Sequence, residues 1–374
     1  MLKQVYMPRN VVDAAKARIS YVFDEYEQII VSVSGGKDSS VLCWLALQEA
    51  HKRSRKIGIF FLDEEVVYQS TIEQIRWLMT LHPENTVKIW FQFPFCLTNA
   101  TSYSEGQLIC WEPGKHKVWM RSKEPDSIQH IPWDREKQTV RDKNKGFGFY
   151  DVIDNFQASR DHTAFLVGLR ATESMNRFRA VAKNPGYKDC YWATKIRSAE
   201  GSASFYPLYD WNFHDIWKFI YDNHIRYSRI YDYQWKKGMP QNEIRVSSLI
   251  HEKSFKSLVE LPEFEPKTYD RLLKRVKGIQ VGNLYGKDAK MLRARTLPKN
   301  FKSWMDYRDF LLQTYPDDSK KWIFEKRFAS YLNNNYVARQ ECRQLLLNDY
   351  ENNLPVHNEE DPREKTIRKW RELL

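Results

Sequence analysis

Two glycines, a lysine and several hydroxyl side chains follow a short β-branched segment at residues 29–33. This first loop reads Ser34-Gly35-Gly36-Lys37-Asp38-Ser39-Ser40. Glycine permits the tight turn that presents backbone N–H groups, and a helix that begins there would direct its positive end at the same point. The lysine and the hydroxyls can bind phosphate oxygens, so the pattern predicts an anion-binding loop. A glycine turn capped by Ser39 is the alternative. The spacing of a Walker loop is absent, so transfer of a γ-phosphate is not indicated.

A second loop, Asp63-Glu64-Glu65, follows the apolar residues 57–62. Ligands of open α/β sheets bind outside the carboxyl ends of the strands. A carboxylate at that edge could bind the ribose, the adenine or a magnesium ion. We therefore predict that Asp63 contacts a nucleotide or Mg²⁺. A polar loop that only leads into the next helix is the alternative.

A third loop at residues 168–177 contains two arginines and a glutamate after another apolar run. Gly168 permits close backbone approach, and Arg170 and Arg177 offer planar forks for phosphate or sulfate. Glu173 and Arg177 are four residues apart and would pair on a helix. We predict that both arginines hold the anionic end of a ligand. A surface salt-bridge network is the alternative.

Apolar periodicity indicates the elements that position these loops. Helical patterns are found at 10–27, 39–51, 68–81, 150–158 and 213–222, and strand patterns at 29–33, 57–62, 87–91 and 164–168. Strands that alternate with helices predict an α/β fold with a doubly wound, mainly parallel five-stranded sheet. A helical carboxy-terminal region follows, with amphipathic patterns at 307–314 and 322–332.

The chain is expected to form two domains. A nucleotide-binding domain is predicted at 1–233, and a mainly helical accessory domain with a charged tail at 234–374. Periodicity fails between about 94 and 146, where the chain is basic and contains three tryptophans. So long an irregular segment is more often functional than a plain connection. We predict that residues 111–145 of this insertion cover the active site and select the acceptor.

Composition limits the function classes. The 374 residues carry a formal charge of +11, which attracts nucleotides and nucleic acids. Aromatic residues beside Lys or Arg suit base stacking, although a packed core with a solvated basic face is the more common explanation of such a composition. The five cysteines include no Cys-x-x-Cys pair, so neither a disulfide framework nor an iron–sulfur cluster is expected. No apolar run resembles a signal sequence or a membrane span, which predicts a cytoplasmic protein.

The first loop resembles the Ser-Gly-Gly-x-Asp-Ser signature of the PP-loop superfamily of ATP pyrophosphatases. The third loop, Gly168-Leu169-Arg170-Ala171-Thr172-Glu173-Ser174-Met175-Asn176-Arg177, is similar to the Gly-x-Arg-x-x-Glu-Ser-x-x-Arg segment of the phosphoadenylylsulfate (PAPS) reductase family. Residues 206–211 and 215–217 are similar to that family's Pro-Leu-x-x-Trp and Asp-x-Trp stretch. The resemblance covers residues 28–223 and implies an adenine nucleotide alpha-hydrolase-like fold.

This resemblance implies binding of ATP with Mg²⁺ and cleavage between the α and β phosphates, usually with AMP transferred to an acceptor. The implied nucleotide-binding residues are Ser34, Gly35, Gly36, Lys37, Asp38, Ser39, Ser40, Asp63, Gly168, Arg170, Glu173, Ser174 and Arg177. Lys37, Asp38 and Arg170 are the implied catalytic residues, and Asp38 and Asp63 the implied Mg²⁺ ligands.

The chain departs from the reductases at its carboxy terminus. Reductases of this family carry a Glu-Cys-Gly-Ile/Leu-His segment whose cysteine attacks the sulfonucleotide, whereas Glu341-Cys342-Arg343 lacks the glycine and the histidine. We therefore expect an ATP pyrophosphatase or adenylyltransferase with an unidentified acceptor. A thioredoxin-dependent PAPS reductase is one alternative, and a nucleotide-sensing regulator associated with nucleic acid is the other.

The layout also resembles prophage-associated co-activators of this family, which carry an appended domain of unknown function. Some of them work beside a ParB-like protein. The resemblance therefore implies a ParB-like protein as a candidate partner.

Overall fold

The apolar runs of the amino-terminal half pair into one sheet in the computed structural model. The structure describes residues 7–102, 105–142, 146–182, 186–188, 190–241, 243–251, 254–279, 297–352, 354–359 and 370. The chain forms two compact units, the first built from residues 1–94, 111–139 and 149–247, and the second from 95–110, 140–148 and 248–374. The first unit contains all three predicted loops.

The strands of the first unit are β1 (Gln28–Ser32), β2 (Ile57–Leu62), β3 (Thr86–Phe91), β6 (Thr163–Val167), β7 (Ala193–Lys195) and β8 (Ala203–Phe205). They form a sheet in the order β3-β2-β1-β6-β8-β7. All neighbours pair in parallel except β7 and β8, which are antiparallel. The predicted mainly parallel sheet is confirmed, with six strands instead of the five expected. At three residues each, β7 and β8 are too short for a periodicity argument.

The helices of the first unit are α1 (Val11–Glu25), α2 (Lys37–Lys52), α3 (Gln69–Thr80), α4 (Phe149–Ala158), α5 (Met175–Ala182), α6 (Phe213–Asp222) and α7 (Ile230–Lys236). They cover both faces of the sheet, because alternate strand residues point to opposite sides. Val31, Phe61 and Leu166 belong to a core shared with α1, α2, α3 and α6. On the other face, Phe60 stacks on Phe156 of α4 at 4.6 Å between ring centroids.

The second unit contains a hairpin and a group of helices. The hairpin strands β4 (Phe95–Thr98) and β5 (Gln107–Cys110) pair antiparallel. The helices are α8 (Phe255–Phe264), α9 (Pro266–Arg275), α10 (Trp304–Gln313), α11 (Asp318–Phe328) and α12 (Asn335–Leu346). Phe324, Leu345 and Tyr350 lie in a core that α10, α11 and α12 share. The predicted helical carboxy-terminal region is therefore confirmed.

The insertion near 94–146 is more regular than its sequence suggested. It supplies the hairpin of the second unit and two short 3₁₀ helices, Pro113–Val118 and Arg135–Lys137. Residues 103–104 and 143–145 of the insertion lie outside the described residues, as does most of the predicted charged tail. Within the part of the chain that the structure describes, no helix has the length and apolarity to cross a membrane. The domain boundary that we predicted near Tyr233 stays a prediction.

Candidate functional site

The first loop turns sharply between β1 and α2 because of its two glycines. Gly35 has a φ of +72°, and a Cβ there would lie 2.7 Å from the Thr71 Cγ2 atom. Gly36 is extended and is the N-cap of α2, without a side-chain hydrogen bond to the helix end. A side chain at Gly35 would therefore be both strained and obstructed.

The three serines of the first loop differ in their roles. The Ser39 hydroxyl accepts a hydrogen bond from the Ser34 N–H at 3.1 Å and donates to the Gly36 carbonyl at 3.1 Å. It therefore holds the turn in shape. The Ser40 hydroxyl is buried and accepts a hydrogen bond from Gln74 of α3 at 3.2 Å. Only Ser34 is exposed, so its hydroxyl is the one best placed to meet a ligand.

The third loop lies directly beside the first. Strands β1 and β6 are neighbours, and their loops leave the same edge at the point where the strand order reverses, which is the usual ligand crevice of such sheets. A Cβ on Gly168 would lie 2.9 Å from both the Cα and the N atom of Ser39. Only glycine permits this approach, and it brings Arg170 to the start of α2.

Two buried cations share one carboxylate at this edge. Lys37 and Arg170 are only 6% and 4% exposed. The Lys37 Nζ lies 3.0 Å from Asp38 Oδ2, and the Arg170 Nε donates to Asp38 Oδ1. The trio therefore carries one excess positive charge at the positive end of α2. Buried charge without a partner is costly, so this arrangement suits an anion.

Sequence reasoning missed Tyr231, which contacts this cluster from α7. The Lys37 N–H donates to the Tyr231 hydroxyl at 3.0 Å. Burial, and next the charge of Asp38, raise the pKa of Tyr231, so the phenol keeps its proton at neutral pH. Tyr231 is 194 positions from Lys37, and no motif connects the two residues. The ring packs edge-on against Trp217 at 5.3 Å between centroids.

Phe213 is a second contact that the motifs did not indicate. The Lys37 Nζ lies 5.6 Å from the centre of the Phe213 ring and 5.5 Å from that of Tyr231. The ammonium group thus sits between two aromatic faces, which attract a cation. Phe213 begins α6, whose N-cap Asn212 forms a capping box with Asp215. The Asp-x-Trp stretch therefore positions the aromatic wall of the site.

The outer part of the third loop is less buried. Glu173 pairs with Arg177 at 3.2 Å between Oε2 and Nε, and their side chains are 33% and 42% exposed. The Ser174 hydroxyl accepts a hydrogen bond from the Arg177 N–H at 3.3 Å, at the start of α5. Glu173 and Arg177 therefore pair with each other, as the sequence predicted. Arg177, unlike Arg170, is open to solvent, and a ligand role for it stays a prediction.

The second loop differs from the first, because its carboxylates already accept hydrogen bonds from other groups of the protein. Asp63 is fully buried. Its Oδ2 accepts from Trp90 Nε1 and Gln92 Nε2, each at 2.9 Å, while Oδ1 accepts from the Glu65 N–H at 3.0 Å and from Arg121. Four donors to one carboxylate leave little capacity for a ligand.

Glu65 of the second loop also forms hydrogen bonds to the insertion. It is buried with a φ of +61°, and its carboxylate accepts from the Trp111 N–H at 2.6 Å. The Arg121 Nη1 donates to the Glu65 carbonyl at 2.7 Å. Lys123 lies over the Trp119 ring at 5.0 Å, and burial lowers its pKa. Trp111 and Arg121 thus fasten this part of the insertion to the second loop.

The predicted Mg²⁺ ligands do not fit a cation held by the protein in this geometry. Asp63 is saturated by four donors, and both oxygens of Asp38 are engaged by Lys37 and Arg170. Magnesium needs oxygen ligands with free lone pairs, and it often reaches nucleotide sites bound to substrate phosphates. Neither carboxylate is therefore given a metal-binding role in the reaction proposed below.

Comparison with known proteins agrees with the sequence motifs. A model of the phosphoadenosine phosphosulfate reductase domain matches residues 117–260, and a model of the domain of unknown function DUF3440 matches residues 238–354. The first match includes the third loop but not the first. The uncharacterized protein YbdN of Escherichia coli K12 is 27% identical over 344 residues, covering 88% of this chain and 81% of that protein.

Two solved structures are also similar in part. A PAPS reductase from Candida auris, in a phosphate complex, is 12% identical with a TM-score of 0.34, covering 62% of this chain and 94% of that chain. An FMN adenylyltransferase from Candida glabrata, in complex with FMN and the ATP analog AMPCPP, is 15% identical with a TM-score of 0.34, covering 62% and 64%. The domain matches confirm the resemblance to the PAPS reductase family and the appended domain of unknown function.

Proposed function

We propose that this chain, which carries a PAPS reductase-like domain followed by a DUF3440 domain, binds ATP between its first and third loops. We further propose that it cleaves ATP between the α and β phosphates and transfers AMP to an acceptor, with release of pyrophosphate. One observation supports this most strongly: Lys37 and Arg170, both more than nine-tenths buried, share the single carboxylate of Asp38. An anion that completes this charge balance would bind tightly.

The proposed roles follow from the contacts. Lys37 would stabilise the charge that develops on the departing pyrophosphate, and Arg170 would hold a neighbouring phosphate oxygen through its fork. The exposed Ser34 hydroxyl would donate to the phosphates. Tyr231 has no acceptor for its own proton among the described residues, so its hydroxyl can donate to the same oxygens. Asp38 would orient both cations and is then a positioning residue.

The reductase alternative is disfavoured by Cys342. This cysteine lies in α12, is fully buried, and has a pKa raised to about 12, chiefly by burial. A nucleophilic cysteine needs to be a thiolate, and this one is a neutral thiol at neutral pH. We expect no thioredoxin-dependent reduction of PAPS. Sulfite production that Cys342→Ser abolishes would overturn this expectation.

Several finer assignments stay proposals. The acceptor is unidentified, and a ParB-like protein and nucleic acid are candidate partners. We place the activity in the cytoplasm, as the sequence predicted. The prophage association rests on family resemblance alone. None of these assignments changes the proposed chemistry at the first and third loops.

The decisive experiment is ATP–pyrophosphate exchange combined with calorimetric titration of ATP. Exchange would be screened with tRNA, DNA, sulfate and protein candidates as acceptors. We expect saturable ATP binding and acceptor-dependent exchange. Absence of ATP binding would refute the proposal. Binding without exchange under any condition would instead favour the nucleotide-sensing regulator.

A further inference from the structure

Two histidines and a glutamate form a second cluster of ligating side chains in the first unit. His51 lies in the last turn of α2, while His82 and Glu84 belong to the turn between α3 and β3. One ligand atom from each of the three lies within 4.8 Å of the other two. Among the described residues, this is the one group of at least three His, Cys, Asp or Glu side chains with such spacing.

Two of the three separations match those of ligands around one metal ion, and the third is within 4.8 Å. His51 Nδ1 lies 3.2 Å from Glu84 Oε1, and His82 Nδ1 lies 3.5 Å from the same oxygen. Bonds of about 2.0–2.1 Å to a tetrahedral ion place neighbouring ligand atoms roughly 3.4 Å apart. The cluster therefore needs only small side-chain rotations to coordinate an ion.

The backbone and neighbouring side chains support this arrangement. His82 has a φ of +45°, a conformation that non-glycine residues adopt at a cost, and it directly precedes Pro83. The Gln48 amide nitrogen lies 3.1 Å from His82 Nε2. With the amide turned so that its oxygen faces this nitrogen, Gln48 would accept the Nε2 proton and leave Nδ1 for a metal. His51 Nδ1 lies 3.2 Å from Asn85 Oδ1, a contact that a bound metal would replace.

We propose that His51, His82 and Glu84 form a binding site for a divalent transition-metal ion of the Zn²⁺ type. Two imidazoles and one carboxylate suit Zn²⁺, Ni²⁺ or Cu²⁺ rather than Mg²⁺ or Ca²⁺, which prefer oxygen ligands throughout. The His51 and Glu84 side chains are 57% and 58% exposed. Water can therefore complete the coordination, and the ion can exchange with solution.

The site is separate from the proposed nucleotide site. α2 begins at Lys37 in the first loop and ends at Lys52, and a helix of 16 residues is about 24 Å long. A metal at its carboxyl end would join α2 to the turn before β3. Its role is structural or regulatory, because it lies too far away to touch the nucleotide. The two proposals can therefore fail independently.

The test is titration of the metal-free, tag-free full chain with Zn²⁺, followed by calorimetry and by the thermal unfolding midpoint. We expect one Zn²⁺ per chain and a midpoint that rises with Zn²⁺. His51→Ala, His82→Asn and Glu84→Gln should each weaken binding about tenfold or more. Asparagine is chosen at position 82 because it tolerates a positive φ.

His130→Ala is the matched control, since His130 is exposed and lies outside the cluster. It should bind Zn²⁺ like the parent. Equal Zn²⁺ affinity in the parent and all three cluster variants would overturn the proposal, as would absence of binding by the parent. Equal competition by Mg²⁺ would overturn the assignment to a transition metal. ATP affinity should be unchanged in every variant.

Discussion

The first and second loops leave adjacent strands of one sheet edge, and both carry charged residues after a buried strand, yet they are built for different tasks. At the first loop, cations exceed carboxylates, and the excess charge is buried at a helix end. At the second loop, the Asp63 carboxylate is satisfied by four donors from within the first unit. The second loop thus fastens the chain, whereas the first loop carries an excess of positive charge that the anion of our proposal would balance.

This contrast shows that a buried charged residue can have one of two roles. A buried ion whose hydrogen-bond capacity is filled contributes to folding, and removing its partners is costly. A buried ion left in excess is costly until a ligand of opposite charge binds. Substitutions in the two loops should therefore change different observables, stability at the second loop and ligand affinity or turnover at the first.

The largest effect is expected from Asp63→Ala. Removing this carboxylate leaves Arg121 buried without its ion-pair partner, and breaking such a buried pair typically costs about 3–5 kcal/mol. Urea unfolding should show a loss of this size. Proteolysis between residues 111 and 139 should also accelerate, because Arg121 fastens that segment.

Asp126→Ala is the control for this prediction. Asp126 pairs with Lys88 at 2.8 Å, but its side chain is 55% exposed, so the loss should be under about 1 kcal/mol. If Asp63→Ala were as stable as the parent and instead lost ATP affinity, Asp63 would be a ligand contact. The original prediction of a nucleotide or metal role for it would then be right.

Lys37→Ala should act in the opposite way, on chemistry rather than on folding. Asp38 keeps Arg170 as a partner, so we expect the unfolding free energy to change by about 1 kcal/mol or less. Pyrophosphate release should fall about 10²-fold or more, as for removal of one donor to developing charge. Lys218→Ala, on an exposed face with a side chain 75% exposed, should match the parent. Unchanged turnover in Lys37→Ala would refute the role of the first loop.

Arg170→Lys and Arg177→Lys compare the inner and outer arginines of the third loop. Arg170 is buried and bonded to Asp38, so loss of its fork should weaken ATP binding about 10- to 100-fold, the range for one charge-assisted hydrogen bond. Arg177 is half-exposed and paired with Glu173, so its effect should stay within about threefold. Calorimetric titration of both variants distinguishes them. Parental affinity in Arg170→Lys would make the third loop a surface ion-pair network.

The sequence predicted the framework of this site better than its interior. The apolar patterns located β1, α2 and β6, because hydrophobic periodicity and the placement of glycines can be read from a short stretch of sequence. The approach of Gly168 to Ser39 also follows from neighbouring parallel strands. Whether Asp63 is free or saturated could not be predicted, since its donors Trp90, Gln92 and Arg121 come from elements whose packing no local pattern specifies.

The same limit applies more strongly to Tyr231, and it motivates the smallest predicted effect. Tyr231 reaches the first loop from α7, and its hydroxyl accepts from the Lys37 N–H at 3.0 Å while keeping a proton to donate. Tyr231→Phe keeps the ring that packs on Trp217 and removes only the hydroxyl. Loss of one hydrogen bond of this kind is worth about 0.5–1.5 kcal/mol, or roughly 2- to 10-fold in affinity. We expect ATP affinity to fall by that factor.

Tyr227→Phe is the control, because the Tyr227 hydroxyl donates a hydrogen bond to Asp232 instead, at 3.0 Å. Equal ATP affinity in both variants would mean that the Tyr231 hydroxyl serves only to close the end of α2, and that the anion is bound by Lys37 and Arg170 without it.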